Sequence, residues 1–264
     1  CTAPLPGGGT RSFTNCTRSL EQRREISLYD PAVGQYYGYV DYVTDAGWQA
    51  YHGLQLSVQR RSAGGLTTSA NYTVSTCEGL ISQGQSPLNV ATGYMQPISL
   101  LNPPSDAEVK AIYESDKGRC SAWRAHIFNL TASIETPQFD ATAARLLASG
   151  WRLSGVFRAQ SGQPLTITTG TDRALSGIQA SIQRVNQVSD DVYGNGSISN
   201  WFNPAAFAQP ALGTYGNSVR NAYDGPAFRV IDVSLVRQFP LPSGQRLEAR
   251  VEAFNALNWF MPGN

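Results

Sequence analysis

The sequence predicts an all-β fold of antiparallel strands, each with one apolar and one polar face, and three observations carry that expectation. Apolar and polar residues alternate with period two over several long segments. The connections between those segments alternate between short and long. Charge is scarce, since only 15% of residues are Asp, Glu, Lys or Arg, where a soluble domain carries about 25%.

Taken in order, residues 52–60 place Leu54, Leu56 and Val58 on one face and Gln55, Ser57 and Gln59 on the other. After a turn at 61–65, residues 66–75 set Leu66, Ala70, Tyr72 and Val74 against Thr67, Ser69, Asn71 and Thr73, so the two segments read as a hairpin. Residues 125–136 set Phe128, Leu130, Ala132 and Ile134 against Asn129, Thr131, Ser133 and Glu135. Residues 150–168 set Trp151, Leu153, Gly155 and Phe157 against Arg152, Ser154, Arg158 and Gln160, with Val156 out of pattern. Between these two, Asp140 is placed to cap a short helical turn through Ala143, Ala144, Arg145 and Leu146. In the last pair, residues 229–239 oppose Ile231, Val233 and Leu235 to Asp232 and Ser234. Residues 246–258 then oppose Leu247, Ala249, Val251 and Ala253 to Arg246, Glu248, Arg250 and Glu252. Nearer the start, Glu25–Tyr29 and Tyr36–Val43 read as two further extended stretches.

Each clear segment is about 9 to 12 residues, which lets a tilted strand cross bilayer hydrocarbon, whereas no apolar run reaches the roughly 18 to 20 residues of a membrane-spanning helix. The connections run short (61–65), long (76–124), medium-short (137–149), long (169–228) and short (240–245), as in a meander whose short turns and long loops lie at opposite ends. The expectation is an antiparallel transmembrane β-barrel segment of about six to eight strands, with loops 76–124 and 169–228 extracellular and the short turns periplasmic. Trp151 and Phe239 fall at the short-turn end and Phe228, Trp259 and Phe260 at the other, where aromatic girdles belong. Two architectures compete with this one. A secreted β-sandwich binding or adhesion module would leave the charges of the last strand in water. A small self-contained barrel of about eight strands would use the two N-terminal stretches as well.

Several function classes drop out on residue inventory. A net charge of +1 offers no footprint for nucleic acid. His52 and His126 are the two histidines, and no nucleophile elbow, zinc-protease, Walker or dinucleotide motif is present, so no enzyme, cofactor or metal site is expected. The adjacent Asp190 and Asp191, ahead of Gly194 and Asn195, read as a solvated turn before a calcium site. Of the four glycosylation sequons at Asn15, Asn71, Asn129 and Asn195, those at Asn71 and Asn129 lie inside predicted strands and read as wall residues.

The candidate functional residues divide between wall and loop. Arg152, Arg158, Arg246, Glu248, Arg250 and Glu252 face the lumen, as cross-strand ion pairs that stiffen the wall or as contacts for a passing solute. Trp201, Phe202, Phe207, Tyr215 and Arg220 stand in a loop that forms either a ligand-capturing rim or a packed unit of its own. All four cysteines, Cys1, Cys16, Cys77 and Cys120, fall on the long-loop side, and an even number there suits an oxidising compartment. They allow three pairings, among which proximity favours Cys77 with Cys120 and Cys1 with Cys16.

The phrases GWRLSGVFRAQSGQPLTITTGTDRALSG (150–177), WFNPAAFAQPALGTYGNSVRN (201–221) and RLEARVEAFNALN (246–258) resemble the C-terminal barrel of Oar-like TonB-dependent outer-membrane receptors. Upstream, YHGLQLSVQRR (51–61), SANYTVSTC (69–77) and HIFNLTASIETPQF (126–139) are similar to the same barrel, so the resemblance covers well over half of the chain. It implies a barrel of roughly 22 strands, of which this chain would supply part. It also implies outer-membrane lipid as surroundings, a plug domain of the same full-length chain as partner, TonB as energy source, and transport of a large or scarce substrate. Plug and regulatory domains have no counterpart in the residues at hand, so the chain is expected to be an internal portion.

Overall fold

A computed structural model of the chain describes residues 1–5, 7–16, 20–38, 47–80, 105–176 and 183–260. Six long strands dominate it: β1 (Gln49–Ala63), β2 (Leu66–Gly79), β3 (His126–Glu135), β4 (Trp151–Gln160), β5 (Phe228–Pro240) and β6 (Arg246–Ala253). Strands adjacent in sequence are adjacent in the sheet, in the order β6-β5-β4-β3-β2-β1.

Register explains why alternation in the sequence becomes two chemically opposed surfaces, because residues paired across an antiparallel ladder share a face. Leu66, Ile134, Leu153, Leu235 and Val251 pair in succession across β2 to β6 and form one apolar row. One position along, Thr67, Ser133, Ser154, Ser234 and Glu252 form the neighbouring row on the opposite face. There the Ser133 and Ser154 hydroxyls lie 2.9 Å apart, within hydrogen-bonding reach. The apolar row stays uncovered: Ile134 is 50%, Leu153 49% and Val251 71% exposed. A β-sandwich buries that face against a second sheet, so the sandwich architecture does not describe this molecule.

The β1–β2 hairpin is tighter than expected, with Gly64 and Gly65 alone making the turn. Both adopt positive φ (61° and 79°), the backbone of the hairpin turn that glycine pairs favour. β4 ends at Gln160 and not at 168, because both neighbours run out there: Ile127 and Phe228 are the partners of Gln160. Beyond it, Ser161 bonds through its N–H to the His126 carbonyl (3.0 Å) and Pro164 has no N–H to continue a ladder. β6 stops at Ala253 and not at 258. Asn255 (φ 47°) turns the chain, its N–H donating to the Asp232 carboxylate (2.8 Å) and its side-chain amide to the Trp259 carbonyl (2.9 Å).

Among the described residues four α-helices accompany the long strands. Glu25–Tyr29, expected to be extended, is α1, and Pro31–Gly34 follows as α2. Asp30 caps α2 by accepting from the N–H groups of Ala32 (2.9 Å) and Val33 (3.2 Å), with Pro31 at the first helical position. That Asp-Pro start belongs to α2 alone, and α1 has no side-chain cap. Tyr36–Gly38 is not strand either, and the rest of the second stretch lies outside the described residues. α3 (Asp106–Ser115) falls within a segment read as loop, and α4 spans Thr142–Ala148. Asp140 does not cap α4: Ala141 occupies the N-cap and no side chain bonds there, since Asp140 stands one residue too early.

The chain packs as two compact units. Residues 51–76, 123–163 and 224–264 form the sheet unit, and residues 1–50, 77–122 and 164–223 form a loop unit. The described parts of the two long connections are therefore folded material in their own right. Cys77 and Cys120 are joined, with Cα atoms 5.5 Å apart, as are Cys1 and Cys16 at 5.8 Å. The Cys77–Cys120 bridge spans 43 residues, and the chain entropy it removes from the unfolded state is worth about 4 kcal/mol. Replacing both cysteines by serine is expected to lower loop-unit stability by about 3 to 4 kcal/mol. Limited proteolysis between α3 and Arg124 reads this directly, and unchanged protection would count against it.

Candidate functional site

On the polar face of the sheet unit, the register sets Glu135, Arg152, Val236 and Arg250 level across β3 to β6. Arg250 chelates the strand's own acids: its Nη2 lies 2.7 Å from Glu248 Oε1 and its Nη1 3.4 Å from Glu252 Oε1. Gln238 donates to the other Glu248 oxygen at 3.3 Å, and Arg152 stands 3.8 Å from Glu135. These groups are open to water, Arg250 being 51% exposed, so solvent screens the pairs and they add little to stability. Their charges remain available to anything that reaches this face. Arg158 stands apart, exposed and level with Asn71, Asn129 and Val230. Arg246, also exposed, sits opposite Pro240 at the other end of the strands.

In the loop unit the electrostatics are of another kind. Asp116 is 1% exposed, and Arg184 Nη1 meets its Oδ1 at 2.9 Å while Nη2 donates to the Ser115 carbonyl at 2.7 Å. Arg220, also buried, donates from Nε to the Asp116 carbonyl (3.0 Å) and from Nη2 to the Gly79 carbonyl (2.7 Å). Burial pulls the Arg184 guanidinium below the ordinary arginine value, while the charge and hydrogen bond of Asp116 draw it back. Beside this knot, Asn221 donates to the Arg119 carbonyl (2.6 Å) and Arg119 Nε returns a bond to the Asn221 carbonyl (2.7 Å). Gly118 passes so close to the Arg220 carbonyl that no side chain fits there.

Four rings form a second small core in the same unit. Phe202 stacks on Tyr193 (5.8 Å between centroids) and meets Phe207 and Tyr223 edge-on at 6.4 and 5.9 Å, while Phe207 and Tyr223 lie 5.2 Å apart. Tyr223 closes the cluster by donating from its hydroxyl to Gln187 (2.9 Å). Of the five loop residues expected at a rim, Phe202 and Phe207 are thus packed inward and Arg220 is buried. Tyr215 is partly buried, and that burial raises its phenol pKa. Trp201 is half-buried beside them. These contacts fit the packed loop better than the open ligand rim.

Sequence reasoning missed Asp116, Arg184, Tyr193 and Tyr223. One signal was present: Ser105-Asp106-Ala107-Glu108 is a capping box, with Glu108 accepting from the Ser105 N–H at 2.8 Å, and it announces α3. Nothing local announces Arg184, which lies 68 residues from its carboxylate partner.

An antiparallel meander with an exposed apolar face, a charged and hydrated opposite face and long connections folded into a separate unit defines the wall of a membrane β-barrel. The profile of the outer membrane beta barrel domain family matches residues 3–264, and the chain belongs to that family, whose place is the bacterial outer membrane. Comparison with curated proteins and with solved structures returned no match.

Two consequences are measurable. Val233, midway along the apolar face of β5, is level with Gly155 and Ala253. Val233→Arg is expected to cost about 2 to 4 kcal/mol in lipid vesicles, while Ser154→Arg on the polar face costs little. Urea unfolding in vesicles gives both values, and equal costs would dissolve the assignment of faces. Asp116→Ala leaves buried guanidinium charge uncompensated and is expected to cost the loop unit about 3 to 5 kcal/mol, whereas Asp116→Asn, which keeps an oxygen to accept from Arg184, costs less. Hydrogen exchange at the Ser218 amide, bonded to the Val185 carbonyl, reports the difference.

Proposed function

We propose that this chain forms part of the barrel wall of an Oar-like TonB-dependent receptor, which moves a large or scarce substrate across the outer membrane. The pair of unfinished edges carries this reading. Among the described residues β1 and β6 each have a sheet neighbour on one side only. Unpaired backbone N–H and C=O groups cannot face hydrocarbon, so in this reading further strands cover both edges. A barrel of roughly 22 strands supplies them. The phrase WFNPAAFAQPALGTYGN (201–217) supports the same assignment by resemblance.

In this reading the long connections lie outside the cell and the short turns in the periplasm. The polar face lines the lumen, where a plug domain of the same full-length chain and the solute would meet Glu248, Arg250, Glu252 and Arg158. TonB acts through that plug. No covalent chemistry is assigned to the wall: its work is passage, not catalysis.

A self-contained small barrel is the reading to be separated from this one, and edge pairing separates them. With Leu56→Cys in β1 and Val251→Cys in β6, a short bifunctional crosslinker is expected to give no intramolecular product from the membrane-inserted full-length protein. Efficient crosslinking within one chain would mean that β1 and β6 close on each other, and the larger barrel would be abandoned.

A further inference from the structure

β5 carries two arginines on its apolar face. Arg229, Ile231, Val233, Leu235 and Arg237 alternate along one side of the strand, so a cation stands at each end of an apolar stretch. From Arg229 to Arg237 the strand runs about 26 Å, which at a tilt of about 40° spans about 20 Å of the roughly 25 Å apolar band, and each long side chain reaches the remaining distance to its rim. Both guanidinium groups therefore fall where hydrocarbon gives way to headgroups.

The two ends are built differently. Arg229 is exposed and lies over a single ring, Trp259, at 5.0 Å. Arg237 is half-buried between two: its guanidinium carbon is 4.9 Å from the centre of Trp151, its partner across the ladder, and 4.7 Å from that of Phe239. Rings on this scale attract the cation and shed its water. The Arg237 Nε is buried and has no hydrogen-bond partner. Among the described residues no carboxylate pairs with Arg237, and the nearby Gln238–Glu248 contact belongs to the opposite face. With Nε buried, the terminal fork of this stacked guanidinium is the part left to meet a countercharge from outside the chain at the lipid-facing rim.

We propose that Arg237, Trp151 and Phe239 form a binding site for the phosphate of a phospholipid headgroup at the short-turn rim of the wall. The planar fork of Arg237 grips the phosphate, and the two rings fix the fork. A lipid fits better than a free anion because the same face continues into Leu235 and Leu153, paired with each other and 40% and 49% exposed, where acyl chains lie. The site stands on membership of the outer-membrane barrel family and holds whichever cargo the barrel carries.

Native mass spectrometry of the full-length protein in detergent tests it, with dioleoylphosphatidylglycerol, dioleoylglycerol and inorganic phosphate as probes. The wild type is expected to retain phosphatidylglycerol at least about tenfold better than dioleoylglycerol, a factor of the size one charge-assisted contact supplies. Arg237→Gln is expected to remove that preference, and Arg237→Lys to restore it only in part, since an ammonium lacks the fork. Arg229→Gln is expected to leave it in place. Equal retention of the two lipids by the wild type, which needs no variant, would overturn the site. So would an Arg237→Gln protein that keeps the preference. Displacement of the lipid by millimolar inorganic phosphate would mean a site for the free anion, and the lipid assignment would fall.

Discussion

Everything in the sheet unit depends on one constraint: a backbone crossing hydrocarbon has to satisfy its N–H and C=O groups between strands, and the ladder that does so dictates the face of every side chain. Because the period is two, a residue has no freedom to choose its surroundings. Leu153 goes to the apolar row because Ile134 and Leu235 are its partners, and Ser154 goes to the hydrated row with Ser133 and Ser234. A slip of one residue would send Arg152 and Arg158 to the lipid side, so the register is held by the full length of each strand. The low charged fraction has the same origin. One face of each strand has to be nearly free of charge, and on β5 the exceptions, Arg229 and Arg237, sit at the ends of the apolar stretch.

The long connections escape that rule and obey another. Residues 77–122 and 164–223 belong to a unit that holds itself together with little apolar material. It relies on Asp116 between two buried arginines, a ring cluster centred on Phe202, and disulfides that limit the unfolded chain. Such fixtures remove conformational freedom without needing apolar bulk.

These two rules also separate what was legible in the sequence from what was not. The strands could be read because membrane exposure makes period two almost absolute: Leu247, Ala249, Val251 and Ala253 against Arg246, Glu248, Arg250 and Glu252 admit one arrangement. Their ends were less legible, since β4 stops where its neighbours stop, a property of Ile127 and Phe228 and not of residues 161–168. Short alternation misled at Glu25–Tyr29, five residues too few for the period of two to be told from one helical turn. The loop unit was opaque for a different reason. Asp116 meets Arg184 across 68 residues and Phe202 meets Tyr223 through tertiary packing, and neither contact leaves a periodic trace.

The same arginine chemistry serves opposite ends in the two units, and exposure decides which. Arg184 is tied to Asp116 in a site from which water is excluded, so removing either partner leaves an unpaired buried charge. Arg250 shares Glu248 and Glu252 in water, where exchanging those partners for others costs little. A contact of the second kind, already half-satisfied by solvent, can be remade without disturbing the ladder beneath. Stability therefore resides in the backbone of the sheet and in the buried knot of the loops. The exposed charges carry almost none of it, so they can change partners without loss to the fold.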